Sequence, residues 1–110
     1  VIMLATAACV APPPAAPASS IGAAEMGDPA LGLRYAQQSC ASCHAVGAGE
    51  TGSPNLDAPA FDAIANTPGM TRVALNVWLH TPHPTMPNLI VDPDHIDDLS
   101  AYLATLKRNE

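Results

Sequence analysis

The stretch Cys40-Ala41-Ser42-Cys43-His44 limits what this chain can become more than any other. Its two thiols sit three positions apart, too close to close a useful disulfide loop, and the third cysteine, Cys9, falls in a leader-like segment. At 110 residues the chain has room for one domain. A domain of that size has a marginal core unless disulfides, a metal or a cofactor complete it. With a disulfide framework excluded, something else has to supply the missing core.

Residues 1–24 carry no charge. The apolar run from Val1 to Val10 gives way to a Pro/Ala/Ser stretch through Ser20, the pattern of an export signal with a linker. The run is shorter than the roughly 20 apolar residues that span a bilayer. Ala16-Pro17-Ala18 ahead of Ser19 offers a small-x-small cleavage site. Cys9 after Thr6-Ala7-Ala8 offers the alternative, an acylation site that would tether the chain to a membrane. Residues 1–24 are therefore expected to be a leader or tether, and residues 25–110 the folded domain.

Helical signals dominate that domain, and no period-two alternation lasts long enough for a sheet. Asp28-Pro29 is an N-cap followed by proline at the first helical position. Leu31, Tyr35 and Ala36 then share a face of a helix running to about Ser39. Gly32 lies on that face at a cost in helix propensity, which a close approach by another helix would explain. Asp92-Pro93 opens a second such helix, with Ile96, Leu99, Tyr102, Leu103 and Leu106 as its apolar stripe. Asp94 and Asp97 come early in it and Lys107 and Arg108 late, matching the helix dipole. Between them, Thr71 caps a helix carrying Val73, Ala74, Val77 and Trp78, stopped by Thr81-Pro82. A short helix from about Pro59 to Ala65 would turn Phe61 and Ile64 inward. Residues 45–58 and 82–91 are rich in Gly, Pro, Asn and Ser and read as loops.

In the pentapeptide, each thiol can add to a vinyl group of haem while the adjacent imidazole presents a nitrogen to iron. This is the haem c attachment signature. A redox-active C-x-x-C would want a thioredoxin-like βαβ setting, which the chain lacks. A structural zinc would want four ligands, and Cys40, Cys43 and His44 offer three in crowded spacing. A buried macrocycle also answers the thin core, because it is a large apolar surface for short helices to pack on.

For the second iron ligand the candidates are Met70, His80, His83, Met86 and His95. Met86 is favoured, because His83-Pro84-Thr85-Met86-Pro87-Asn88 is a proline-stiffened loop with little entropy left to lose. Met70 is a turn or core residue by default, and His95 falls in the first turn of the last helix. His80 and His83 remain competitors. Trp78 and Tyr102 are core aromatics or, in a haem pocket, donors to propionates and loop carbonyls. Arg72 reads as an exposed helix residue or a counter-charge to a propionate. The carbonyl of Pro54 could orient the other nitrogen of His44, a role that such ligands usually have filled.

The stretches Cys40-Ala41-Ser42-Cys43-His44, Pro54-Asn55-Leu56, Met86-Pro87 and Leu99-Ser100-Ala101-Tyr102-Leu103 together resemble the class I, mitochondrial-type, monohaem cytochromes c. The resemblance covers about residues 28–108. It implies an all-α cytochrome c fold of three to five short helices wrapped around one covalently bound haem, the first and last helices crossing at Gly32 and Tyr35 near Tyr102. It implies His44 as proximal and Met86 as distal ligand of the iron, both thiols in thioether bonds, and Pro54 as the carbonyl partner of His44, with Pro59 as fallback. The lysine ring that mitochondrial members use for docking has no counterpart here.

The expected function is that of a periplasmic single-electron carrier, a monomer and not itself an enzyme, shuttling between redox-protein donors and acceptors. It could serve as a cytochrome subunit of a larger oxidoreductase. The alternative is a haem enzyme or gas-binding sensor with an open or labile sixth position. Four Lys and Arg against ten Asp and Glu, net charge −6, exclude nucleic acid as a partner and suit a basic one.

Overall fold

The computed structural model describes residues 26–81 and 89–108, together with Cys9 and Met86. The expectations for the rest of the leader, and for His83 and Pro87, lie outside the described residues. Among the described residues there are four helices and no strand: α1 (Pro29–Ser39), α2 (Phe61–Ala65), α3 (Arg72–His80) and α4 (Pro93–Leu106). The all-α expectation holds, and every helix falls where local sequence signals put it.

Helix α1 starts as its sequence dictates. One carboxylate oxygen of Asp28 accepts from the N–H groups of Ala30 and Leu31, at 2.8 and 3.4 Å. Its most extensive helix contact is with α4. The backbones meet so closely at Gly32 that a Cβ there would collide with the Asp98 carbonyl and lie 2.8 Å from the Tyr102 Cβ. Gly27 makes a similar approach one turn earlier, against the Asp97 carbonyl. Leu31, expected on the inward face, is exposed. The close contact runs along the small residues Gly32 and Ala36, one turn apart, and leaves their neighbour on the rim.

Helix α4 is the spine of the core, burying Ile96, Leu99, Leu103 and Leu106 together with Tyr102. Each fully buried side chain of this kind contributes roughly 1.5–3 kcal/mol by transfer from water. Asp92 precedes Pro93 in extended conformation, but its carboxylate makes no capping bond and lies instead 4.0 Å from His95 Nδ1. Helix α3 is capped by Thr71, whose hydroxyl accepts from the Ala74 N–H at 3.1 Å. It turns Leu75 and Leu79 inward while Val73 and Val77 face out. Arg72 is not the exposed helix residue that its sequence suggested. Its guanidinium Nε binds the Asp97 carboxylate, tying the start of α3 to α4 in a half-buried ion pair.

The end of α4 is clasped to the end of α2. Asn66 donates to the Leu106 carbonyl at 3.1 Å and accepts from the Arg108 N–H at 2.8 Å. Arg108 binds the Asp62 carboxylate at 2.5 Å, and Lys107 donates to the Met70 carbonyl at 2.8 Å. The hydrogen bond from Arg108 holds the Asp62 carboxyl below the usual carboxylate range, helped by the N–H of Gly49. A carboxyl depressed on folding stabilises the native state above its unfolded pKa, near 3.9, and that stabilisation fades as pH falls through the folded value. Asp62→Asn is therefore expected to narrow the gap between melting temperatures at neutral and strongly acidic pH. An unchanged gap, measured by circular dichroism, would show that this pair does not contribute to acid sensitivity.

Candidate cofactor site

The pentapeptide prolongs α1 by one more turn. The N–H of Ala41 returns to the Ala36 carbonyl at 3.0 Å, and those of Cys43 and His44 return to Cys40 at 3.2 and 2.9 Å. Residues four apart on such a turn lie on one side. Cys40 and His44 accordingly share one wall of a cavity of about 370 Å³. Phe61 and Ile64 of α2, Leu75 and Trp78 of α3, and Leu99 and Leu103 of α4 line the rest of it, with Met86 from the loop between α3 and α4. That is within the range of about 300–1,000 Å³ for small-molecule and cofactor sites, and its walls are overwhelmingly apolar.

Burial pushes the Cys40 thiol up to about 11, so the protonated form rests in the cavity wall at neutral pH. Cys43 lies half-buried on the same turn with the Ser42 hydroxyl 3.8 Å from its sulfur. The imidazole of His44 is oriented by a backbone carbonyl, but that of Pro59 rather than Pro54: Nδ1 donates to the Pro59 oxygen at 2.6 Å. Pro54 is exposed and takes no part in the cavity. The reason lies in how the loop is pinned. The Phe61 N–H donates to the Ala45 carbonyl at 2.8 Å, drawing residues 59–61 against His44. On either side of Pro54, Ser53 accepts from the Ala45 N–H at 3.0 Å and the Asn55 N–H donates to the Cys43 carbonyl at 3.1 Å, which leaves Pro59 to meet the imidazole. Tyr102 donates to the Val46 carbonyl, which holds the segment beyond His44 from the α4 side.

Of the histidines proposed as rival ligands, the two described ones, His80 and His95, lie elsewhere. His80 Nδ1 donates to the Asn76 carbonyl of its own helix at 2.7 Å, and His95 stacks on Tyr35 with ring centroids 4.2 Å apart. Neither lines the cavity. Trp78 does, with about half of its surface still open to solvent (54%). Met70 does too, a placement that sequence reasoning left as turn or core. Leu75 and Leu79 were overlooked, although their spacing of four on a capped helix was the available signal.

A planar apolar group carrying a metal suits these walls: the Cys40 thiol, an imidazole held by its far nitrogen, and the Met86 thioether share one apolar cavity. Among the described residues no group of three or more His, Cys, Asp or Glu side chains gathers to hold a bare ion, so the zinc reading gains no support there. Helices packed on such a cavity beside a C-x-x-C-H turn define a haem c protein. The family model for cytochrome c matches residues 30–107, and the chain belongs to that family. The cofactor is accordingly a covalently bound haem c with its iron, and the family's work is electron transfer between redox partners. No curated protein and no solved structure matches the chain.

Proposed function

We propose that the protein is a monohaem single-electron carrier whose iron is ligated by His44 and Met86, with thioether bonds from Cys40 and Cys43. The observation that carries this reading is that the His44 imidazole and the Met86 side chain line the same apolar cavity as Cys40. When bound, the group supplies a ferric/ferrous couple whose potential depends on axial ligand, burial and hydrogen bonding. Each thiol adds across a vinyl group, its hydrogen passing to the second vinyl carbon, so attachment consumes no oxidant. The Pro59 carbonyl fixes His44 with its proton on Nδ1, which leaves Nε2 as the ligating nitrogen. Leu75, Leu99 and Leu103 exclude water, and Trp78 walls the mouth.

Met86 is preferred to Met70 because Met70 packs against the hydrophobic core, with its N–H bonded to Thr67 and its carbonyl to Lys107. The apolar run before residue 10 supports export to a periplasm, with release or retention by a tether at Cys9. None of the described helices is long and apolar enough to cross a membrane. The acidic surface suits a redox partner with a basic docking face, reached by a monomer.

The test is the mass and visible spectrum of protein matured in a host that assembles haem c. The expected result is the polypeptide plus one haem under denaturing conditions, with a ferric methionine-to-iron charge-transfer band. A colourless protein with the mass of bare polypeptide overturns the reading. Covalent haem without that band overturns Met86 alone.

A further inference from the structure

A hydrogen bond at one ring nitrogen restrains one point of an imidazole and leaves the ring free to swing about the Nδ1–oxygen line. His44 has such a bond to Pro59. A second contact lies off that line: the Phe61 ring meets the His44 ring edge-on, with centroids 5.5 Å apart and planes at 63°. Aromatic pairs favour this arrangement, because the positive edge of one ring meets the negative face of the other. Phe61 is itself immobilised. It is buried in the core, begins α2, and donates its N–H to the Ala45 carbonyl at 2.8 Å. Three contacts therefore join residues 59–61 to residues 44–45: a hydrogen bond to the ring, a ring-to-ring contact, and a backbone hydrogen bond to the residue that follows.

We propose that Phe61 is a positioning residue that fixes the plane of the His44 imidazole about its bond to iron. The inference rests on the reading of His44 as the proximal ligand. The plane of an axial imidazole decides how its π orbital overlaps the iron d orbitals, and so which of them is raised. A ring locked in one plane gives ferric iron one electronic axis system. A ring free to swing gives several. Phe61 thus contributes through rigidity, which lowers the rearrangement accompanying each electron passed.

The test compares the holoprotein with Phe61→Met and Phe61→Tyr. Methionine keeps most of the buried volume but presents a flexible chain to the imidazole, whereas tyrosine keeps the ring. The readouts are the ferric electron paramagnetic resonance g-values and the order and number of haem-methyl proton resonances. F61M is expected to change the order of the methyl resonances or add a second set, and to broaden the g-features, with the covalent mass and ligand bands retained. F61Y is expected to restore the parent pattern. Parent-like spectra in F61M overturn the proposal, as does an F61Y pattern displaced as far as that of F61M. If F61M does not fold, the proposal rests on Phe61→Leu judged by the same signals. Parent protein lacking covalent haem or nitrogen ligation defeats the ligation reading itself, an outcome separate from normal parent spectra that F61M leaves unmoved.

Discussion

Met86→His is expected to lower the midpoint potential on the order of 100 mV, within the roughly 0.8 V that axial ligands command in haem proteins. Thioether sulfur favours ferrous iron, whereas a second imidazole, a stronger σ-donor, favours the ferric state. The cavity around residue 86 is lined by apolar side chains such as Leu75, Leu99 and Leu103, so the exchanged ligand acts in surroundings that water does not level. The same change should abolish the methionine-to-iron band while leaving the protein low-spin. A spectroelectrochemical titration reads both effects at once. A potential and band unchanged from the parent would remove Met86 from the iron. Met70→Leu is the companion variant: it keeps an apolar side chain in the cavity wall and should leave the band in place.

Gly32→Ala is expected to destabilise the protein by about 2 kcal/mol, equivalent to a fall of roughly 8–16 °C in melting temperature for a domain of this size. On an isolated helix the change would help by about 1 kcal/mol, because alanine is the better helix former. Here the new Cβ would strike the carbonyl of Asp98 and crowd the Cβ of Tyr102. The first obstacle is backbone, which has no rotamer to escape into, so α1 and α4 must separate along their main contact. Ala36, fully buried one turn on, would lose packing with them. Gly52→Ala is the matched control, since a Cβ there meets nothing within 4 Å. Thermal unfolding of the two variants decides the matter. Equal melting temperatures would mean that the helices tolerate a methyl group where their backbones meet.

Much of this was legible in the sequence because its causes are local. An aspartate before a proline, or a threonine three residues before an unpaired N–H, marks a helix start whatever lies elsewhere. Asp28 and Thr71 do cap their helices, and the stripe from Ile96 to Leu106 does face the core. Gly32 was also legible in a negative sense: a poor helix former on an apolar face asks for a partner. The spacing of Cys40, Cys43 and His44 carries its chemistry within five residues, and the family match agrees with it.

What the sequence alone could not settle was how residues distant along the chain pair. The choice between the carbonyls of Pro54 and Pro59 turns on the bond from Phe61 to Ala45, which closes the loop and has no local signature. Arg72 looked like surface because its partner, Asp97, is 25 residues away on another helix. Leu31 is periodic yet exposed, because two small residues beside it let a backbone come too near for a wider interface. Capping and spacing are set by neighbours in the chain, whereas ring orientation, ion pairing and the cavity walls are set by neighbours in space. Only folding brings those together.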